Sequence, residues 1–394
     1  MRYAYRTMTS AVLMCLFVPN ACAFGDGINI GGLQINPSVT VSGSYNDNVT
    51  RAETRRISSW ETIVSPAVDI TAGSDINQMN VHYDFERGDF FGSQSDSYSD
   101  HHVSGATHNE LTSRFMVDAT ASYIKSHDGR GTTFSGITTG FNTPDRWHEA
   151  AATAKFSYGG KDATGRIELH GGFSAKRYDN HRSLTAARDL NTENGGATFY
   201  YRIASKTSAL FEGDYDKFDY RLANSPLDSH QLTFYTGLTW EATAKTSGTV
   251  KVGWQRKKFR RTTRTGGGFF SLDAQITWAP LTYSVWSLKA GRRATETDSN
   301  GISGSYIKTN DVLLGWTHKW NRRLSHSAEA GYVHGRYIGS ARKDNTYTAS
   351  FGLNYDLAPW LGVGVGYDYA NRSSNAVNAS YHESIYSINV TGTL

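Results

Sequence analysis

Residues 33–45 of the chain read LQINPSVTVSGSY and alternate strictly between two kinds of side chain. One set is apolar or small: Leu33, Ile35, Pro37, Val39, Val41, Gly43 and Tyr45. The other set is polar: Gln34, Asn36, Ser38, Thr40, Ser42 and Ser44. Successive side chains of a β-strand point to opposite faces, so this stretch predicts a strand with one apolar face and one wet face.

The same alternation recurs along the chain, at residues 60–72, 115–123, 167–173, 232–240, 250–254, 270–278, 347–357 and 361–369. The composition agrees, because 13% aromatic residues and 39 glycines with only 7 prolines suit strands and tight turns. No window of the mature chain has 18 successive apolar residues, so no membrane-spanning helix is expected. The 394 residues could hold several domains, but one large all-β domain is equally ordinary at that length.

Charge excludes two classes of protein. Charged residues make up 19% of the chain and the net charge is +4, which is typical neither of a disordered polyelectrolyte nor of a nucleic-acid-binding surface. We therefore expect no nucleic acid among the partners.

The N-terminus has the order of a secretory signal peptide. Arg2 and Arg6 precede an apolar run at residues 11–18, and Ala21-Cys22-Ala23 follows it. The interpretation is a cleaved signal peptide at 1–23, a short periplasmic segment at 24–32 and a barrel at 33–394. A lipid-anchored reading around Cys22 is the alternative. Both cysteines lie in the leader, so the mature chain is expected to have no disulfide and no cysteine metal site.

The joints between strands sort by length. Short joints lie at 73–77, 109–112, 159–163, 205–207, 242–247, 279–281, 321–323 and 358–360, and long polar joints alternate with them at 46–57, 87–96, 125–145, 176–188, 217–227, 256–267, 293–305, 337–344 and 370–380. Short turns on one rim and long loops on the other are typical of an outer-membrane barrel. The prediction is a transmembrane antiparallel β-barrel of about 18 strands, with 16 as the alternative because residues 98–107 and 310–320 alternate raggedly.

Two further features support a barrel. Trp240, Trp278, Trp320 and Trp360 lie beside short joints, where an aromatic girdle at a membrane interface would need them. The last residues of the chain alternate up to Leu394, so a final strand can close against the first and leave no free edge in lipid.

The polar faces would line a water-filled lumen, because a barrel this wide cannot be filled by side chains. Acidic and basic residues predicted on that wall are Glu61, Asp69, Asp84, Glu86, Asp118, Lys155, Arg166, Glu168, Arg202, Glu212, Lys251, Asp273, Lys289 and Glu329. They are either a solvated wall or a track for a hydroxyl-rich solute.

One predicted extracellular loop is strongly basic and carries Arg256, Lys257, Lys258, Arg260, Arg261 and Arg264. Contact with lipopolysaccharide phosphates explains such a loop, and capture of an acidic glycan at the exit is the alternative.

No catalytic motif and no metal site are expected. There is no Gly-x-Ser-x-Gly elbow, and His148-Glu149 is not followed by the second histidine of a His-Glu-x-x-His motif. His101 and His102 are neighbours on a strand and point to opposite faces, which argues against a joint metal site with His82 and His108. We expect no cofactor.

The N-terminal hundred residues resemble the putative beta-barrel porin 2 family, which includes outer-membrane proteins encoded with exopolysaccharide operons. The matching words are Pro37, the stretch 45–51 (YNDNVTR), the stretch 64–68 (VSPAV), and Tyr83-Asp84-Phe85 with His101-His102. Beyond them the resemblance is one of pattern, to residue 394. It implies an outer-membrane barrel that acts as an exopolysaccharide exit with periplasmic export proteins, and no family catalytic residues to carry over.

Three functions follow as hypotheses. The first is a passive exit pore for an exopolysaccharide. The second is a general solute-uptake porin with the loop at 125–145 folded into the lumen. The third is an adhesin or structural barrel, or a hydrolase acting at the rim.

Overall fold

The structure, a computed structural model, describes residues 27–132, 141–160, 163–243, 245–261, 263–297 and 304–394. Its described part is almost entirely β-structure. The strands are β1 (Ile28–Ile30), β2 (Leu33–Asn46), β3 (Ser59–Gly73), β4 (Asn77–Phe90), β5 (Tyr98–Glu110), β6 (Phe115–Asp128), β7 (Asp145–Tyr158), β8 (Gly165–Tyr178), β9 (Leu190–Ala204), β10 (Thr207–Tyr220), β11 (Ser229–Thr243), β12 (Thr246–Phe259), β13 (Gly267–Leu281), β14 (Ser284–Thr295), β15 (Tyr306–Lys319), β16 (Leu324–Ile338), β17 (Lys343–Ala358), β18 (Leu361–Ser374) and β19 (Tyr381–Thr393).

Strands β2 to β19 form a closed antiparallel barrel of 18 strands. Each pairs with its neighbours in sequence, and β19 closes on β2 in a register that runs from Ile385↔Asn46 to Thr393↔Ser38. Closure leaves the long edges of the sheet paired, which lipid requires of a spanning sheet. The predicted strand count of 18 is confirmed, and the alternative of 16 is wrong.

Strand β1 lies outside this count. It folds back on β2 through Gly31 and Gly32, which have φ of 57° and 88° and so need glycine. It pairs with residues 33–35, below the point where β19 ends against Ser38. The hairpin therefore covers the part of the β2 edge that β19 leaves open. The predicted leader, 1–23, lies outside the described residues, and its cleavage stays a prediction.

The two faces of the wall divide as the alternation predicts. Val39, Val41 and Phe234 are exposed on the outer, lipid-facing side. Glu212 of β10 and Lys251 of β12 meet at 2.8 Å across the intervening strand β11, which places them together on the concave, lumen side.

The connections also sort by rim. Both ends of the barrel chain lie on the rim with the short turns, and the loops at 47–58, 129–144 and 179–189 are on the other. Many strands run further towards the long-loop rim than predicted, and the predicted loop at 337–344 is reduced to residues 339–342. Strands of 12 to 16 residues rise about 30–40 Å at the usual tilt, beyond the ~25 Å apolar band, so their outer ends lose the apolar pattern without ending.

The aromatic girdle is present on the short-turn rim. Trp278, Trp320 and Trp360 expose 48%, 60% and 57% of their surface there. Exposed aromatic side chains also lie towards the other rim, with Trp60 and Trp254 as the largest. Two belts of this kind are typical of a barrel held at both membrane interfaces.

Among the described residues, helical structure occurs in loops, as α1 (Arg182–Thr185) and two 3-10 turns at Gln94–Asp96 and Ala186–Arg188. Within the described ranges, no helix is both long enough and apolar enough to span a bilayer.

Candidate functional site: the lumen wall and its outer collar

The register places every predicted wall residue on the lumen face of its strand. Asp118, for example, stands directly opposite Lys155, and Lys251 stands opposite Asp273. The other wall residues are paired in the same way or lie an even number of positions from a residue on that face. The alternation in the sequence thus assigns the direction of these side chains correctly. Their role in transport stays a prediction.

These charges form separate clusters and not one continuous track. Lys251 Nζ lies 2.8 Å from Glu212 Oε1 and 3.1 Å from Asp273 Oδ2. Lys155 and His108 lie 3.1 Å and 2.6 Å from opposite oxygens of Asp118. Pairing at these distances neutralises part of the wall, and nine of the fourteen predicted wall charges are acidic.

One sector of the lumen has a neutral surface. We call the lumen faces of β2, β17, β18 and β19 between the two rims the neutral lane. Its members bear hydroxyls, amides or no side chain: Ser38, Thr40, Ser42, Ser44, Thr346, Thr348, Ser350, Gly352, Asn354, Gly364, Gly366, Ser387, Asn389 and Thr391. Four charged side chains lie on the same lumen faces at the levels of these members: Asp356, Asp368, Arg372 and Glu383. The lane contrasts with the histidine and carboxylate clusters of β3 to β10.

The stretch 45–51 makes side-chain contacts with the last strand at the long-loop end of the seam, which is the pairing of β2 with β19. Arg51 Nε donates to Glu383 Oε2 of β19 at 2.9 Å, and Asn46 Nδ2 donates to the other oxygen at 2.9 Å. Asn48 is fully buried and donates to the carbonyls of Ala52 and His382. These bonds link the first loop to the last strand, and we call them the bolt.

Arg51 remains charged in this position. Burial lowers its pKa, but the adjacent Glu383 carboxylate more than offsets that effect and raises the pKa above the ordinary arginine value. The pair is almost wholly withdrawn from solvent, with side-chain exposures of 6% and 4%.

The profile of the family described as Putative beta-barrel porin 2 matches residues 24–394. The chain belongs to this family. It is therefore a porin-like outer-membrane β-barrel, of a kind that is typically not enzymatic. No curated protein sequence matches the chain.

Several solved structures are similar to this porin-family barrel at low sequence identity. They include OpdL of Pseudomonas aeruginosa, at TM-score 0.49 and 12% identity over 93% of this chain and 99% of that one. OccAB4 of Acinetobacter baumannii aligns at TM-score 0.48 and 9% identity over 91% of this chain and 98% of that one. A mutant of the ferric enterobactin receptor PfeA of Pseudomonas aeruginosa aligns at TM-score 0.47 and 7% identity, over 91% of this chain and 80% of that one.

The porin's lumen is ringed by aromatic side chains near the long-loop rim, which we call the collar. Cations stack on its rings: Lys176 lies 3.7 Å from the centre of Trp147, Lys257 3.8 Å from Phe218 and Arg342 4.4 Å from Tyr337. The members are Trp147, Tyr178, Phe218, Tyr220, Phe259, Tyr337 and Tyr381. Each stacked cation adds electrostatic attraction to the packing of its ring.

The collar was missed at the sequence level. Its signal was present, because each aromatic residue falls in phase with the polar face of its strand and not with the apolar one. When a sequence is searched only for alternating polar and apolar residues, an aromatic residue on the polar face near the end of a strand is taken for a break in the pattern.

The predicted basic loop is corrected in part. Arg256, Lys257 and Lys258 belong to strand β12. Arg256 and Lys258 face outwards, whereas Lys257 faces the lumen, is fully buried and forms an ion pair with Glu296. Strand pairing persists there because Lys257 has a buried partner and its neighbours reach water above the bilayer.

The remaining three arginines of that set lie in the loop, as predicted, and contact neighbouring loops and the end of β10. Arg260 pairs with Asp219 at 3.1 Å and Asp228 at 3.2 Å. Arg261 donates to Asn224, and Arg264 donates to the carbonyl of Gly304 at 2.7 Å. Their first role in the structure is to connect loops.

The loop between β6 and β7 reaches neighbours on both sides. Arg130 Nε donates to Asp96 at 2.7 Å, and a Cβ at Gly131 would lie 2.6 Å from the Thr50 carbonyl oxygen. On the other leg, Phe141 stacks on His181 at 3.9 Å. Residues 133–140, the middle of this predicted lumen loop, lie outside the described residues.

Proposed function

We propose that this barrel is the outer-membrane exit for an exopolysaccharide. The neutral lane carries the proposal, because it offers a sugar polymer a wall of hydroxyl and amide groups. The long-loop rim would be the extracellular exit, and the short-turn rim would meet periplasmic export proteins. Residues 1–23 would direct the chain through the inner membrane and be removed.

Passage along the lane would need no chemical step and no cofactor. A sugar hydroxyl that leaves water for a wall hydroxyl exchanges one hydrogen bond for another, with a net gain of about 0.5–1.5 kcal/mol or less. Many weak sites in series let a polymer enter and leave, whereas one strong site would stop it. The glycines at 352, 364 and 366 have no side chain to project into the lumen, so the sugar polymer meets fewer protruding groups along the lane.

Deletion of the gene is expected to abolish release of the polymer into the medium and to raise the amount retained in the periplasm. The physical reason is that a hydrophilic polymer cannot cross the apolar bilayer without a channel. Both pools are measured as total hexose after fractionation. Normal release from the deletion strain would exclude the export function.

A bulky side chain in the lane tests the route within the barrel. Gly366→Trp places an indole in the lumen, where only the Ser387 hydroxyl is close to the new Cβ, and we expect release to fall. Val365→Trp is the matched control, since Val365 faces lipid on the same strand and is 49% exposed. Equal release from both variants would argue against passage along β18.

Uptake of small solutes is the second candidate. The described legs of the loop at 129–144 bind the loops on either side, which is a suitable position for a segment that narrows the mouth. Single-channel conductance in planar bilayers, with small sugars added, separates the two functions. An open channel that small neutral sugars block, in a barrel whose deletion leaves polymer release intact, would favour uptake.

The outer wall also offers a site for lipopolysaccharide. A cavity of about 330 Å³ at the long-loop end of β4 to β7 is bordered by Arg87, His101, Lys125 and Arg146. Lys125 and Arg146 are exposed and have no ion-pair partner within the described part of the chain. Exposed cations at the level of lipid headgroups attract phosphate, so we propose that this cavity holds a lipopolysaccharide phosphate.

We expect the double variant Lys125→Ser, Arg146→Ser to retain less lipopolysaccharide when purified in mild detergent. The readout is lipid phosphate per barrel. Arg114→Ser is the control, because Arg114 is an exposed cation on the short-turn rim, away from the outer leaflet. If both preparations carry as much lipid as the unaltered barrel, the site is wrongly assigned.

A further inference from the structure

A group of histidine and aspartate side chains on the lumen wall is arranged as metal ligands are. His82, Asp84 and His102 each offer one ligand atom, and the three atoms lie within 4.8 Å of one another. Asp84 Oδ1 is 2.9 Å from His82 Nε2 and 3.0 Å from His102 Nδ1. We propose that these three residues bind a divalent transition-metal ion of the zinc class.

The strand register brings the three together. Asp84 of β4 stands directly opposite His102 of β5, and His82 lies two positions along β4 on the same face. His101 points to the outer side, where Tyr83 Oη lies 3.1 Å from its Nδ1. The adjacent residues His101 and His102 point to opposite faces, as their positions in the sequence predict, whereas His82 and His102 converge on one face.

A second carboxylate orients His82. Asp69 Oδ1 of β3 lies 2.8 Å from His82 Nδ1, and so accepts a hydrogen bond from it. A neutral imidazole with its proton on Nδ1 has a lone pair on Nε2, and that lone pair points at Asp84. Metal-binding histidines commonly donate their other ring N–H to a carboxylate in this way.

Without a positive charge beside them, the arrangement of His82 between Asp69 and Asp84 is unfavourable. His82 stands between two carboxylates and a neutral ring can donate to only one of them. A cation between Nε2 and Asp84 Oδ1 converts the opposed lone pairs into two coordinate bonds. A second proton on the ring would instead relieve the repulsion by letting Nε2 donate a hydrogen bond to Asp84, and the binding experiment separates these two possibilities.

Geometry and access also fit zinc. Tetrahedral ligands at about 2.0–2.1 Å from Zn²⁺ stand about 3.3 Å apart, so the two separations from Asp84 Oδ1, 2.9 Å and 3.0 Å, need to open by only a few tenths of an ångström. The side chains of His82, Asp84 and His102 are 34%, 38% and 35% exposed. An ion can therefore reach them from the lumen, and water can complete the coordination.

The proposal is tested by titrating the purified full-length barrel in detergent with ZnCl₂ and measuring heat. The expected result is one saturable site per barrel, with affinity at least about tenfold weaker in His102→Ala and in Asp84→Asn, as loss of a ligand or its support usually causes. His101→Ala is the matched control, since it removes the adjacent histidine from the opposite face.

Two results would overturn the proposal. One is the absence of a saturable site in the unaltered barrel, which would leave the cluster as a hydrogen-bonded network around a protonated histidine. The other is a site whose affinity His102→Ala and His101→Ala reduce equally. Because the assay uses purified protein and metal alone, its outcome is independent of polymer release.

Discussion

Arg51→Asn is expected to lower the free energy of unfolding by about 3–5 kcal/mol, the usual cost of removing one partner from a buried ion pair. The substitution leaves Glu383 with an uncompensated charge at the top of the seam, where, within the described part of the chain, the amide of Asn46 is its remaining hydrogen-bond partner. Asparagine tolerates the left-handed backbone at this position, where φ is 47°, so the change tests the guanidinium and not the turn. Urea unfolding in lipid vesicles, followed by tryptophan fluorescence, gives the value.

Arg55→Asn is the matched control for this prediction. Arg55 lies in the same loop, has a similar φ of 54° and is exposed. We expect it to change the free energy of unfolding by less than about 0.5 kcal/mol, as surface substitutions usually do. Adding Glu383→Gln to Arg51→Asn should recover part of the loss, because the unpaired charge is then removed. Equal stability of the two single variants would contradict the role given to the bolt.

Lys257→Met is expected to destabilise the outer collar by a similar amount. Lys257 is wholly buried, and its removal leaves Glu296, which is 7% exposed, with the Tyr220 hydroxyl at 3.0 Å as its remaining hydrogen-bond partner among the described residues. Methionine keeps the contact with the Phe218 ring, so the loss reports the charge and not the packing. The measurement is again the free energy of unfolding in vesicles.

Lys258→Met is the natural comparison, since the next residue carries the same charge and faces outwards into solvent. It should leave stability almost unchanged. The double variant Lys257→Met, Glu296→Gln should unfold at close to the original urea concentration, because replacing both members of a buried pair costs much less than removing one. A Lys257→Met barrel as stable as the Lys258→Met barrel would show that Glu296 finds another partner.

The barrel itself was predictable because membrane insertion imposes a two-residue period on every strand. That period gave the direction of Glu212 and Lys251 and the number of strands, and the parity of the joints gave the two rims. It could not give contacts between residues distant in the chain. Glu383 and Arg51 are separated by 332 positions, and no local pattern links them.

The candidate site was predictable to the same extent. The lumen face of Asp84 followed from alternation, but its meeting with His102 depends on the offset between β4 and β5, which the turn at 91–97 leaves undetermined. The predicted strands also ended too early, β12 before Arg256 for example, because a run of basic residues beyond the bilayer resembles the sequence of a loop. Strand pairing above the membrane depends on hydrogen bonds between backbone groups, and these leave no recognisable pattern in the side chains.

The seam between β2 and β19 has a consequence for the order of assembly. Its contacts, such as Thr40 with Thr391 at a separation of 351 residues, are among the most distant in sequence that the chain can make. Contacts of such high order form slowly, since the entropy of closing the intervening chain is lost before they stabilise anything. Every other strand can add to a neighbour already in place, so closure of the seam is expected to be the last and slowest event. The bolt at Arg51 would then act as a latch, because it forms only once the C-terminal strand has arrived.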